Sequence, residues 1–274
     1  MKYAIRYYRG CRVLDQVDEI IIKYKDVNEE LIKFVQTRPD WQRVIVDIME
    51  LPPEQEKKSV EVFAAAVTAH PNFAVMTFFD EEDYEYIEDL ENVGIPYFFR
   101  DGVGTLDNFM FFTQFKVSDI CIVGELGFCL DKVSSICKEK NIKVRVFPCH
   151  ATCSSLNQSC DVKSFFIRPD DVDVYEKYVD VFDLGFLYMA ESKQAVLFDV
   201  YKSGKWLGNL NEVVENLNWN VDNTTILPNL GKMRATCGKR CAFDKCNFCD
   251  RISEVAELMR KRDLGLRRTS ITGY

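Results

Sequence analysis

Eleven cysteines are the residues of this 274-residue chain best suited to chemistry, and four of them fall within thirteen positions. Cys237, Cys241, Cys246 and Cys249 are spaced C-x3-C-x4-C-x2-C. Thiolates converge on one ion or cluster only if the chain between them turns tightly, and Gly238, Asp244 and Asn247 are turn formers. Lys239, Arg240, Lys245 and Arg251 would lower the thiol pKa values and offset the charge of a thiolate site. The pattern reads as a metal or cluster site, and two occupants fit it. Compact four-ligand stretches hold structural zinc, and tight cysteine spacings equally suit an iron–sulfur cluster. The spacing departs from the C-x3-C-x2-C of radical S-adenosylmethionine enzymes, because only Cys237 and Cys241 keep its first gap.

A second group, Cys149, His150, Cys153 and Cys160, follows the predicted strand Lys143–Phe147. A cysteine beside a histidine has the parts of a nucleophile–base pair, but no third group in the sequence orients His150. It reads instead as a neighbour of metal ligands or a hydrogen-bonded surface residue. The chain has only one other histidine, His70, which precedes Pro71 at a helix end and reads as structural. There is no His-Glu-x-x-His helix and no G-x-S-x-G elbow, which weakens a peptidase reading. Cys11, Cys121, Cys129 and Cys137 lie in apolar or amphipathic settings and read as small buried hydrophobes.

The elements that must position these residues alternate along most of the chain. Strands are predicted at Tyr3–Tyr8, Glu19–Tyr24, Arg43–Ile48, Phe73–Phe79, Tyr97–Arg100, Asp119–Val123, Lys143–Phe147, Ser164–Arg168 and Val179–Leu184. Several are nearly continuous apolar runs, as expected where both faces of a parallel sheet are covered. Helical stretches lie between them, at Asn28–Thr37, Pro53–Ala69, Asp80–Asn92, Leu106–Phe115, Gly127–Lys140 and Pro169–Tyr178. Such alternation means an α/β fold with a parallel sheet. No Gly-rich phosphate turn is present, and Gly102-Val103-Gly104 reads as a plain βα loop, so the expectation is a (β/α) barrel, closed or distorted. Its chemistry would sit in the βα loops at the strand C-termini. Arg100, Glu125, His150 and Arg168 are placed there as candidate substrate-binding residues, the arginines for a carboxylate or phosphate.

Composition divides the chain near residue 230. Residues 232–274 carry eleven Lys/Arg against five Asp/Glu, a net +6, whereas residues 1–231 carry a net −14. The reading is a barrel over 1–230 and a Cys-rich basic module over 231–274 that packs on it. A hydrophobic fraction of 47% with 28% charged residues is that of a soluble globular chain and excludes a disordered or fibrous one. No apolar run of signal-peptide length opens the sequence, and the longest apolar stretches are too short to span a bilayer. The expectation is a cytoplasmic protein with no membrane partner. In that reducing compartment clustered cysteines bind metal more often than they form disulfides.

The stretch Ser118-Asp119-Ile120-Cys121-Ile122-Val123-Gly124-Glu125-Leu126-Gly127-Phe128, together with Lys143 to Cys160, resembles the collagenase-like peptidase family U-32. In that family Asp-x-φ-φ-φ, with φ apolar, precedes a Leu-Gly turn, and a later strand leads into His-Gly-Ala-x-Cys and a second cysteine. His150-Ala151-Thr152-Cys153 is one residue shorter than that pattern, while the Cys153-to-Cys160 interval matches. Asn157-Gln158-Ser159 stand where the family has Ser-Gly-Arg. The resemblance implies a β/α barrel with a four-cysteine [4Fe–4S] centre and Cys153 and Cys160 as its first two ligands. Relatives include enzymes that hydroxylate RNA bases or a quinone precursor, besides peptidases. Residues 161–184 contain no cysteine, so the remaining ligands would come from the Cys237–Cys249 run folding back, unless that run holds its own site. The expected function is an iron–sulfur oxidoreductase or hydroxylase acting on RNA or a small molecule. The alternatives are a zinc-stabilised, non-catalytic binding or assembly protein and a peptidase.

Overall fold

Eight short strands alternate with helices in the computed structural model, which describes residues 1–8, 10–24, 30–48, 51, 53–79, 84–100, 102–148, 165–185, 191–214, 222–225, 254 and 257–258. The strands are β1 (Lys2–Arg6), β2 (Glu19–Lys23), β3 (Arg43–Asp47), β4 (Phe73–Thr77), β5 (Tyr97–Phe99), β6 (Asp119–Ile122), β7 (Lys143–Val146) and β8 (Val181–Asp183). The helices are α1 (Leu31–Gln36), α2 (Pro53–Ala69), α3 (Tyr84–Val93), α4 (Leu106–Phe112), α5 (Leu130–Glu139), α6 (Val172–Tyr175) and α7 (Glu191–Ser203). Every pairing is parallel, in the order β5-β4-β3-β2-β1-β8-β7-β6. The sheet curls into a nearly closed (β/α) barrel with its helices outside, as the alternation predicts.

Closure falls between β5 and β6. Ser118 N donates to Tyr97 O at 2.7 Å, and Val103 bridges Ile122 in parallel. Val103 N donates to Cys121 O at 2.7 Å, and Val123 N returns a bond to Val103 O at 3.1 Å. Gly102-Val103-Gly104 is therefore the strap that joins the barrel's two edges, more than a plain loop. A Cβ on Gly102 would lie 2.3 Å from Val123 Cγ1, so only glycine lets the strap come this close.

The ninth predicted strand, Ser164–Arg168, is a correction. Its described part, residues 165–168, joins no ladder. The apolar run has another cause, since Phe165, Phe166 and Ile167 are buried in the core. Both edges of β7 are already taken by β6 and β8, which leaves no edge for a further strand there. The helix predicted over Pro169–Tyr178 is a 3-10 turn at Pro169–Asp171 followed by the four-residue α6.

Between strands and helices lies the larger apolar layer. Val60, Phe63 and Ala66 of α2, Ile87 and Leu90 of α3, Phe109 and Phe112 of α4, and Val133 and Cys137 of α5 are buried in it. Of the aromatic run in α4, Met110 and Phe111 stay partly exposed, and Phe111 packs edge-on against Phe79 and Phe115. Cys121 and Cys137 are buried and Cys11 and Cys129 half-buried. His70 is buried at the N-terminal end of β4, with Nδ1 accepting from Asn72 N at 3.2 Å and Nε2 3.3 Å from Pro39 O. It is a structural histidine, as its place in the sequence suggests. No helix among the described residues is long and apolar enough to cross a membrane. Of residues 231–274 only Glu254, Glu257 and Leu258 are described, so the Cys-rich module lies almost wholly outside them.

Candidate active site at the barrel mouth

Side chains on alternate strand positions point into the barrel. Its middle is apolar, formed by Ala4, Ile21, Ile45, Ala74, Phe98, Cys121 and Val181. Two residues away along the same strands the inward positions turn charged. The N-terminal side carries Glu19, Arg43 and Asp119, the C-terminal side Arg6, Asp47 and Asp183, and Arg145 joins the two. An interior of this kind differs from the layers of branched aliphatics that fill many barrels.

Arg145 is fully buried and reaches three acids. Nη2 pairs with Glu19 and lies 3.6 Å from Asp119 Oδ1, while Nη1 donates to Asp183 Oδ2 at 3.0 Å. The guanidinium lies 4.8 Å from the centroid of the Phe98 ring. Arg43 completes the group, with Nη2 2.7 Å from Asp119 Oδ2 and Nη1 3.6 Å from Glu19 Oε1. Against the burial that opposes its charge, Asp119 is held well below the usual carboxylate range by Arg43 and then Arg145. Burial likewise opposes the charge of Arg145, and Glu19, Asp119 and Asp183 more than restore it.

At the C-terminal ends of the strands a second cluster forms the floor of the mouth. Arg6 Nη2 and Arg100 Nη1 share one carboxylate oxygen, Asp47 Oδ2, at 2.8 and 3.3 Å. Arg6 Nη1 is buried with no hydrogen-bond partner. Burial and then the neighbouring Arg6 cation pull Arg100 below its ordinary pKa, with Asp47 and Asp183 acting the other way. Two guanidiniums thus meet at a carboxylate in a dry place, and paired arginines of this kind suit an incoming carboxylate or phosphate. Gln194 of α7 fixes the end of β1 by accepting from Arg6 N at 2.7 Å. Asp183 links mouth to centre, since its Oδ1 accepts from Gly185 N at 2.8 Å while Oδ2 holds Arg145.

Gly185 sits against this junction. A Cβ there would meet Arg6 N at 2.7 Å and Ile5 C at 3.1 Å, both backbone atoms that cannot swing aside. Gly185→Ala is expected to cost about 1–3 kcal/mol, the usual range for overpacking, and to weaken anion binding at the mouth. Urea unfolding of the variant beside wild type measures this, and an unchanged midpoint would show that β1 and β8 are free to separate here.

Among the residues singled out from sequence, Arg100 does stand at the mouth, together with Asp47. Arg168 is engaged elsewhere: Nε and Nη2 form a fork on Asp171 at 2.6 and 2.7 Å, and Nη1 donates to Asn223 Oδ1 at 3.2 Å. It ties the 3-10 turn after the β7 excursion to the segment around Asn223. Glu125 lies in the 3-10 turn Gly124–Cys129 after β6, with its side chain outside the described residues. His150 and Cys153, Cys160, Cys237, Cys241, Cys246 and Cys249 also lie outside the described residues. Among the described residues no three His, Cys, Asp or Glu side chains converge as a metal site. The two buried thiols are poor ligands and poor nucleophiles, because burial pushes Cys137 up to about 12 and Cys121 higher still. The described flanks of residues 149–164 lie on the mouth side, since Pro148 follows the C-terminal end of β7 and Ile167 N donates to Pro148 O at 3.2 Å.

Arg6, Asp183 and Arg145 are absent from the sequence-derived site, although a period-2 reading of the strands finds them. Ala4-x-Arg6, Ile45-x-Asp47 and Val181-x-Asp183 each place charge on the inward face two residues from an apolar middle residue, and in β7 Arg145 itself takes the middle position.

No protein-family model matches the chain, and no curated protein matches it. Solved structures similar to it include an open form of tryptophan synthase from M. tuberculosis, 10% identical with a TM-score of 0.43, covering 79% of this chain and 92% of that one. Another is tryptophan synthase subunit alpha from Legionella pneumophila, 12% identical with a TM-score of 0.41, covering 86% of this chain and 91% of that one.

Proposed function

We propose that this chain is a U-32-like barrel enzyme that acts at the C-terminal mouth on a small molecule bearing a carboxylate or phosphate. The observation that carries the reading is the buried pair Arg6 and Arg100, which meet at the carboxylate of Asp47. Two arginines side by side bind an anionic group in a water-poor setting, where each charge-assisted hydrogen bond is strong. Of the two substrate classes that the U-32 resemblance implies, RNA and a small molecule, the burial of both arginines on the floor of the mouth favours the second.

The chemistry is assigned to a [4Fe–4S] cluster, with Cys153 and Cys160 and two of Cys237, Cys241, Cys246 and Cys249 as the ligands that would hold it. Support comes from the donor set, six thiols of which four have cationic neighbours in sequence, and from the mouth-side position of Pro148 and Ile167 on either side of residues 149–164. A bound cluster supplies one-electron chemistry tuned by its hydrogen bonds and burial. The chain's own part is to hold and orient the substrate anion between Arg6 and Arg100 and to keep the mouth dry.

Metal analysis after anaerobic purification tests this directly. The expected result is about four iron and about four sulfide per chain, lost in Cys153→Ser and in Cys160→Ser. Zinc without iron or sulfide would sink the cluster and leave the zinc-stabilised binding protein in its place.

A further inference from the structure

The opposite end of the barrel carries a feature that the mouth does not use. A groove of about 730 Å³ opens on the N-terminal side, between the turn that enters β6, the turn that enters β7, and Asp180. Four lysines line it, Lys116, Lys138, Lys140 and Lys143, against the single carboxylate of Asp180. This basic surface lies within the part of the chain whose net charge is −14.

The lysines are not consumed by ion pairs. Among the described residues only Lys116 has one, to Glu91 Oε2 at 3.1 Å. Lys140 Nζ donates to Thr113 O at 3.2 Å and Lys138 Nζ to Lys177 O at 3.5 Å, both neutral carbonyls. Asp180 is itself occupied, because its Oδ2 accepts from Val144 N at 2.8 Å. Lys138 and Lys140 end α5 and there offset the negative end of the helix dipole. That account does not reach Lys143, which begins a strand and is half-buried, and whose ammonium has neither an ion pair nor a hydrogen bond among the described residues. Burial, and then the Arg43 and Lys2 cations, hold its pKa below the usual lysine value despite Asp119 and Glu19. An unpaired ammonium among like charges at the edge of a cavity gains from an anion placed beside it.

We propose that this groove is a second ligand site that binds phosphoryl groups, with Lys143 as its inner contact and Lys138 and Lys140 at its rim. Lysine is a compact point charge suited to phosphate, with no planar fork to select a carboxylate. The volume falls within the roughly 300–1,000 Å³ of small-molecule sites, which suits a free nucleotide or pyrophosphate. A single RNA strand offers the same phosphates, and the test separates the two. The site is independent of the reading of the mouth, because it occupies the other end of the strands.

The experiment titrates the full chain with pyrophosphate, with a nucleoside diphosphate and with a short single-stranded RNA, at low and moderate salt. Saturable, salt-weakened binding of at least one probe is expected, reduced about tenfold or more by Lys138→Glu with Lys140→Glu. Both residues are exposed, but two glutamates at the end of α5 oppose the helix dipole, so the thermal midpoint is recorded for the pair and for Lys143→Gln, which is measured separately. Competition by the free nucleotide marks a small-molecule site, whereas binding of RNA alone marks a strand. Unreduced binding in the rim pair, or equal binding of polyglutamate, would overturn the proposal. So would loss on Arg100→Ala alone, which would move the ligand to the mouth.

Discussion

Replacing Arg145 by Met is expected to destabilise the chain by about 3–5 kcal/mol, enough to unfold many domains of ordinary stability. The side chain it removes is wholly buried and faces Glu19, Asp119 and Asp183 at once. Methionine fills much of the volume, so the cost is electrostatic and not a cavity effect. Arg43 still pairs Asp119, but Glu19 keeps only the longer contact to Arg43, and Asp183 only the Gly185 amide. The two-state cost of leaving buried charge uncompensated is large because water cannot reach it. Arg145→Lys is expected to be destabilising as well, since an ammonium cannot serve acids on two layers of the barrel.

The pH dependence distinguishes this from simple misfolding. In the wild type Asp119 has a depressed folded pKa, so its contribution is fully present above the ordinary carboxylate range. That contribution is lost as pH falls through the folded value. Arg145→Met removes one of the two cations that depress Asp119, so its folded pKa rises toward the ordinary value while Arg43 still holds it down. The advantage that the wild type draws from the deeper depression is lost as pH falls through the interval between the two folded values. The gap between variant and wild type should therefore be constant above the carboxylate range and narrow between about pH 5 and about pH 3. Urea midpoints at the two pH values measure it. A gap that stays constant would mean that the network does not carry the stability assigned to it.

The barrel was legible in the sequence because its cause is repetitive. Apolar runs such as Val44-Ile45-Val46 and stripes such as Val60 and Phe63 recur with the periods of strand and helix, and burial in the structure follows them. The ninth strand was over-read for the same reason, since Phe165-Phe166-Ile167 has the composition of a strand but no free sheet edge to join. The charged interior was harder to see. Arg6, Arg43 and Arg145 read singly as ordinary strand flanks, and only the register of β1, β3 and β7 shows that they share the inside of one barrel. Arg168 went the other way. Its place at the end of an apolar run suggested an open rim position, whereas Asp171, three residues on, takes both arms of its fork. Spacing along a chain gives faces of elements but not which charges meet across a barrel.

At the mouth the largest effect is expected from Asp47→Ala, and it is expected to be reversible by a small anion. Asp47 is the carboxylate to which Arg6 and Arg100 both turn, and Arg6 already has one Nη buried without a partner. Removing it leaves two guanidiniums in a dry site, a loss of roughly 3–5 kcal/mol by the same reasoning as for Arg145. Unlike the Arg145 position, the deleted group has a soluble equivalent, because formate has the shape and charge of the missing carboxylate. A ligand that binds only the folded state stabilises it by RT ln(1 + [L]/Kd), about 2.7 kcal/mol at a hundred times Kd. Formate should thus raise the thermal midpoint of Asp47→Ala well beyond its effect on wild type, with chloride at equal ionic strength as the control. Adding Arg100→Ala should reduce that difference, because formate then meets one guanidinium instead of two. If formate lifts wild type and Asp47→Ala equally, the arginine pair is not an anion receptor, and the small-molecule reading of the mouth falls with it.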